Sequence, residues 1–224
     1  MSDLTTLFTI TRKDVLQELR SKAVTVATLF FAAVVIVILA FALSEDRDLM
    51  TLAAPGVMWV ALAFAGVISA AQSYQNELEE NAYEQLLLFP IPRASIFLGK
   101  LLANWLYMTL LGVVIVPVTA LFFNVSLKNL PLLFLVIILG TLGFALIATF
   151  YAALTANLRA RESLLPVLMF PVVVPVIQRA VFATAEIIGQ GDISFILGHL
   201  QVLLAFDLVY FVVCTALFHF VTEE

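Results

Sequence analysis

The chain has 224 residues, of which 63% are hydrophobic and only 12% charged, whereas a soluble domain is about one quarter charged. That much apolar surface exceeds what one soluble core absorbs, and a formal net charge of −5 spread over short loops offers no basic face for nucleic acid. The single cysteine, Cys214, excludes an internal disulfide, a CxxC redox pair and a cysteine-based zinc site.

Taken in chain order, the first predicted element covers residues 1–22. Leu4, Phe8, Val15 and Leu19 fall within an arc of about 60° at 100° per residue, with Lys13, Gln17 and Arg20 opposite. This pattern reads as an amphipathic helix lying on the inner membrane surface. The next run, Ala23 to Leu43, has 21 residues and no small-residue cleavage site, so it reads as a membrane span and not as a signal peptide. Five more spans follow, at about Leu52 to Gln72, Leu101 to Phe123, Leu132 to Ala156, Leu164 to Ala185 and Leu200 to Thr222. The fold class is therefore an all-α integral membrane protein with six transmembrane helices in one domain, residues 1–224. With the N terminus inside, Arg12, Lys13, Arg20, Lys22, Arg93, Lys100, Arg159 and Arg161 are cytoplasmic, and Arg47, Lys128 and Arg179 are outside. Eight against three satisfies the positive-inside bias and puts both termini in the cytoplasm.

Between the second and third spans lies a long inside loop, residues 73–100. Glu77, Glu79, Glu80 and Glu84 make its first part a polar helical extension. Leu86, Leu87, Leu88 and Phe89 then form an apolar patch, and Pro90 and Pro92 stop the helix ahead of Arg93. Apolar residues rimmed by charge on a short rigid turn suggest a docking surface for another protein. A solvated loop whose leucines fold back on the membrane is the alternative.

Pro166, Pro171 and Pro175 interrupt the fifth span, and Gln178, Arg179 and Glu186 follow. Proline frees backbone carbonyls that need other partners in lipid, so a broken or re-entrant helix is expected here. The segment 178–199 is polar around Arg179, Glu186 and Gln190 to Asp192, and is expected to form a short amphipathic helix at the outer face. Arg179 and Glu186, seven residues apart, share one helical face that either lines an outer vestibule or forms an ion pair. His199 is either an axial ligand for an iron porphyrin or an interfacial residue. Asp207, seven residues into the last span as drawn, is an intramembrane polar candidate that could neutralise a cation, relay a proton or hydrogen-bond a neighbouring helix.

Missing motifs limit the chemistry. There is no GxxxxGK[ST] phosphate loop, HExxH or GxSxG. His199 and His219 are separated by about 30 Å of helix, so they cannot share a metal. The chain is accordingly read as a non-catalytic subunit with no catalytic residue and no metal site, and any ATPase activity lies on a partner.

The stretch LLLFPIPRASIFLGKLLANW (Leu86 to Trp105), together with RARESLLPVLMFPVVVPVI (Arg159 to Ile177) and GVMW (Gly56 to Trp59), resembles the heme exporter protein B family, CcmB. The acidic run followed by LL, two prolines and GK is shared more widely by type-2 ABC permeases. The resemblance implies a type-2 ABC exporter-like subunit of the cytochrome c maturation system in the bacterial inner membrane. It implies a separate CcmA-like ATPase binding ATP and Mg, CcmC-like and CcmD-like membrane partners, and a CcmE-like heme chaperone served indirectly. It leaves room for a homodimer. Heme is the expected cargo of the complex, with no cofactor assigned to this chain. By the same resemblance, Glu77, Glu79, Glu80, Leu86, Leu87, Pro90, Pro92 and Arg93 correspond to the ATPase-coupling element, to which the apolar Phe89 belongs by position. An ion-coupled secondary transporter using Asp207 and a passive membrane scaffold are the rival readings.

Overall fold

The computed structural model describes residues 3–20, 22–79, 92–156 and 161–221. These residues form seven helices and no strand: α1 (Asp3–Arg20), α2 (Lys22–Ala42), α3 (Arg47–Glu79), α4 (Arg93–Phe122), α5 (Leu130–Thr155), α6 (Arg161–Ile188) and α7 (Ile193–Val221). All but α1 are long and apolar enough to cross a bilayer, so the chain is a multi-pass membrane protein.

In hydrocarbon the backbone must satisfy its own hydrogen bonds, which leaves helices as the way these apolar runs can cross. Their ends carry the expected local chemistry. The Asp46 carboxylate accepts the N–H groups of Asp48 and Leu49, each at 3.0 Å, and so caps α3. At the end of α6, Gly191 N–H reaches the Glu186 carbonyl at 2.8 Å and Gln190 takes a positive φ of 58°. Asp192 then starts α7 by accepting the Ser194 N–H at 3.1 Å.

The six spans alternate between two ends of the bundle. We call the end carrying α1 and the start of α4 the near end, and the end carrying the 123–129 and 189–192 turns the far end. Helix α5 is central, packed against α3, α4, α6 and α7, and is buried almost continuously from Gly140 to Ala153. Helix α2 sits at the edge: Thr28, Ala32, Ile36 and Ala40 face the bundle, while Phe30 and Phe41 point outward. In-span hydroxyls turn back onto their own helices, as Thr141 does to Ile137 O at 2.7 Å and Thr184 to Ala180 O at 2.8 Å. Trp59 crosses from α3 to donate to Thr184 on α6 at 3.0 Å, and its ring lies over Gly140, where a Cβ would collide with it. Trp105 donates to the Ile138 carbonyl at 3.0 Å and ties α4 to α5.

Two expectations are corrected. The three prolines do not break α6, which runs as one helix from Arg161 to Ile188. Each proline removes a single N–H bond, whereas an opened segment would expose several polar groups to lipid. No separate helix occupies 178–199 either. Those residues are divided between the end of α6 and the start of α7, which begins at Ile193 and not near Leu200.

Candidate functional site

The near end holds a polar network buried between five helices. Lys100, only 1% exposed, sits two turns into α4. Its ammonium lies 3.5 Å from the Asp14 carboxylate on α1 and 3.4 Å from the Ser73 carbonyl on α3. Lys13 approaches the same carboxylate at 3.2 Å from the exposed side. Thr11 donates to the Gly99 carbonyl at 3.1 Å, and Ile10 packs where a side chain on Gly99 would have to go. Deeper in, Ser69 contacts Asn104 at 3.4 Å and Asn104 donates to Thr149 at 3.2 Å, which links α3, α4 and α5. Tyr107 and Thr28 share a hydrogen bond of 2.9 Å between α4 and α2.

The face that α1 turns to the bundle is distinct from the apolar arc read as lying on the membrane surface. The face that packs onto α4 carries Thr6, Ile10, Thr11 and Asp14, and the Phe8 ring is left 65% exposed. Small and polar groups allow the close backbone approach that Gly99 permits, so they win this interface over the larger apolar arc.

The network also lies at the roots of the expected coupling element. Helix α3 ends at Glu79, and α4 begins at Arg93. Glu77 and Glu79 fall in the last turns of α3, although their side chains lie outside the described set, as do residues Glu80, Leu86, Leu87, Phe89 and Pro90 entirely. Pro92 is exposed with φ −57° and ψ 128°, and its carbonyl accepts the Ser95 N–H at 2.9 Å to close the first turn of α4. Arg93 is half-buried, and its Nη1 has no hydrogen-bond partner among the described residues.

The other candidates lie along α6 and α7. Asp207 is 3% exposed and sits at the middle of α7, fourteen residues from either end, and not seven residues inside it. His199 is half-buried with its ring 5.9 Å from that of Phe182. Arg179 and Glu186 share the flank of α6 but form no ion pair with each other among the described residues. No group of three or more His, Cys, Asp or Glu could hold a metal ion among the described residues. An apolar recess of about 480 Å³ opens at the far end between α4 and α5, lined by Val113, Pro117, Leu127, Pro131 and Phe134 among others, and offers no axial ligand.

Comparison with known proteins decides the family. The sequence model described as CcmB protein matches residues 5–221. The chain belongs to the CcmB family. Proteins named heme exporter protein B are among its relatives. That of Pseudomonas aeruginosa is 34% identical over 149 residues, 66% of this chain and 67% of the relative. That of Haemophilus influenzae is 28% identical over 182 residues, 81% of each chain, and that of Bradyrhizobium diazoefficiens 25% over 192 residues, 86% of each. The CcmB match takes in both α1 and the last span, so the α1–α4 contact belongs to the matched region.

Sequence reasoning missed the Asp14–Lys100 pair within this CcmB chain. The available signal was Lys100 itself, a lone cation at the head of the apolar run LLANW, which requires a counter-charge when its helix is packed from that end.

Proposed function

We propose that this chain is the membrane-embedded subunit of a heme-exporting complex in the bacterial inner membrane, serving cytochrome c maturation, and that a separate ATPase drives it through residues 77–93. The relatives named heme exporter protein B support the cargo. One observation supports the mechanical reading: Lys100 joins α1, α3 and α4 at the two ends of the 80–92 segment. A force applied to that segment reaches three helices through one buried group. Arg93, with a buried nitrogen lacking a partner among the described residues, supports an anionic contact on the docking protein.

On this reading Leu86, Leu87 and Phe89 enter an apolar groove on the ATPase, while Glu77, Glu79, Glu80 and Arg93 set orientation and Pro90 and Pro92 stiffen the turn. CcmC-like and CcmD-like subunits complete the membrane complex, and a CcmE-like chaperone is released in its heme-loaded form. Burial of one leucine is worth about 1.5–3 kcal/mol, so loss of two weakens docking by roughly two powers of ten or more. The test is affinity purification from native membranes. The double variant Leu86→Asp, Leu87→Asp is expected to accumulate normally and lose the ATPase, while Lys128→Ala retains it. Full ATPase recovery with the double variant would overturn the docking assignment.

A further inference from the structure

We propose that Asp207 is a proton-binding site at the centre of the bundle, occupied when α7 is seated against α5. The site is a built one. Asp207 lies fourteen residues from each end of α7, about 21 Å of helix on either side. Both carboxyl oxygens are buried and have no hydrogen-bond partner among the described residues. A Cβ on Gly143 would collide with Asp207 Oδ1, and the same position is closed on another side by Val176. The carboxyl therefore occupies a notch in α5 that only glycine leaves open, with α6 as its wall.

Among the described residues, no counter-charge faces this notch. Helix α5 carries no Asp, Glu, Lys, Arg or His, and its Tyr151 is eight residues beyond Gly143. Helix α6 carries Arg179 and Glu186 towards the far end. Its register with α7 is set by the Tyr210 hydroxyl donating to Val172 O at 3.0 Å and by the Phe182–His199 ring contact. That register puts Arg179 about one turn from the level of Asp207, and no ion pair joins them among the described residues. On α4, Arg93 and Lys100 belong to the near end, where Phe97 meets Phe218 at 5.0 Å, and Tyr107 is turned towards Thr28 on α2. On α7 itself, His199 contacts Phe182, Tyr210 is bonded to Val172, and Cys214 is buried two turns away.

A carboxylate here would stand in a low-dielectric slot without a cation or a donor among the described residues, a state in which the group neutralises instead. The balance is one proton: the carboxylate takes it from solvent as α7 packs, forming one O–H bond, and returns it when the α5–α6–α7 seam admits water. Proton occupancy and the seating of α7 are thereby linked. The proposal is independent of ATPase docking.

Infrared spectroscopy of the intact complex in lipid at neutral pH tests it, with aspartate labelled by heavy carbon at its side-chain carboxyl. The expected result is a protonated-carboxyl C=O band that moves with the label and is absent in Asp207→Asn. Should Asp207→Asn fail to accumulate, the wild type decides, with the label confined to this chain by assembly with unlabelled partners, because its other aspartates lie at helix ends or, as Asp14, beside lysines. Label-sensitive intensity confined to the ionised-carboxylate bands would overturn the proposal and point to a cation supplied by another chain.

Discussion

Two glycines on α5 set how closely its neighbours approach, and they do so for different side chains. Gly140 receives the Trp59 ring and Gly143 the Asp207 carboxyl. Gly140→Val drives a branched side chain into Trp59 and is expected to destabilise the bundle by about 1–3 kcal/mol, visible as a lowered midpoint of thermal unfolding in detergent. An unchanged midpoint would show that the Trp59 contact is not close. At the near end, Asp14→Asn removes the carboxylate beside a fully buried ammonium and is expected to cost about 3 kcal/mol. The double variant Asp14→Leu, Lys100→Met should recover most of that loss, since a buried ion pair replaced by apolar groups is often near neutral. Additive losses in the double variant would rule out the pairing. Of these residues, Asp207 stood out in the sequence as a polar group within an apolar run. The Asp14–Lys100 pair did not, because it depends on a contact across 86 residues of sequence.

At the scale of elements, hydropathy located every span because each apolar run exceeds the bilayer thickness by itself. It located starts less well. Helix α4 begins at Arg93 and α7 at Ile193, both ahead of their apolar cores, since charged and polar residues at a helix end are satisfied at the interface. The proline reading of α6 failed for a related reason: local propensity weighs one lost N–H bond, whereas the membrane penalises a whole opened segment. Pro171 is exposed on a continuous helix, so Pro171→Ala restores a backbone donor and is expected to leave membrane levels and thermal stability unchanged or raised. A marked loss of stability would restore the broken-helix reading. The buried face of α1 was not legible either, because its apolar arc and its packed face point in different directions.

For the whole molecule, the alternating spans put α1, the end of α3 and the start of α4 at one end and the 123–129 turn at the other. The eight-to-three division of basic residues supports our proposal that the first end is the cytoplasmic one. A cysteine at Ser126 in a Cys214→Ala background is expected to react with a membrane-impermeant thiol reagent from outside the cell. Reaction only after the cytoplasm is opened would invert the topology.

The central claim is that this bundle serves heme delivery for cytochrome c assembly. The most direct measurement is covalently bound heme in c-type cytochromes, read by heme-peroxidase staining of membrane proteins from cells lacking this chain. Loss of that signal, with total heme unchanged and recovery on re-expression of the wild type, is the expected result. Undiminished covalent heme in the deletion strain would contradict the account.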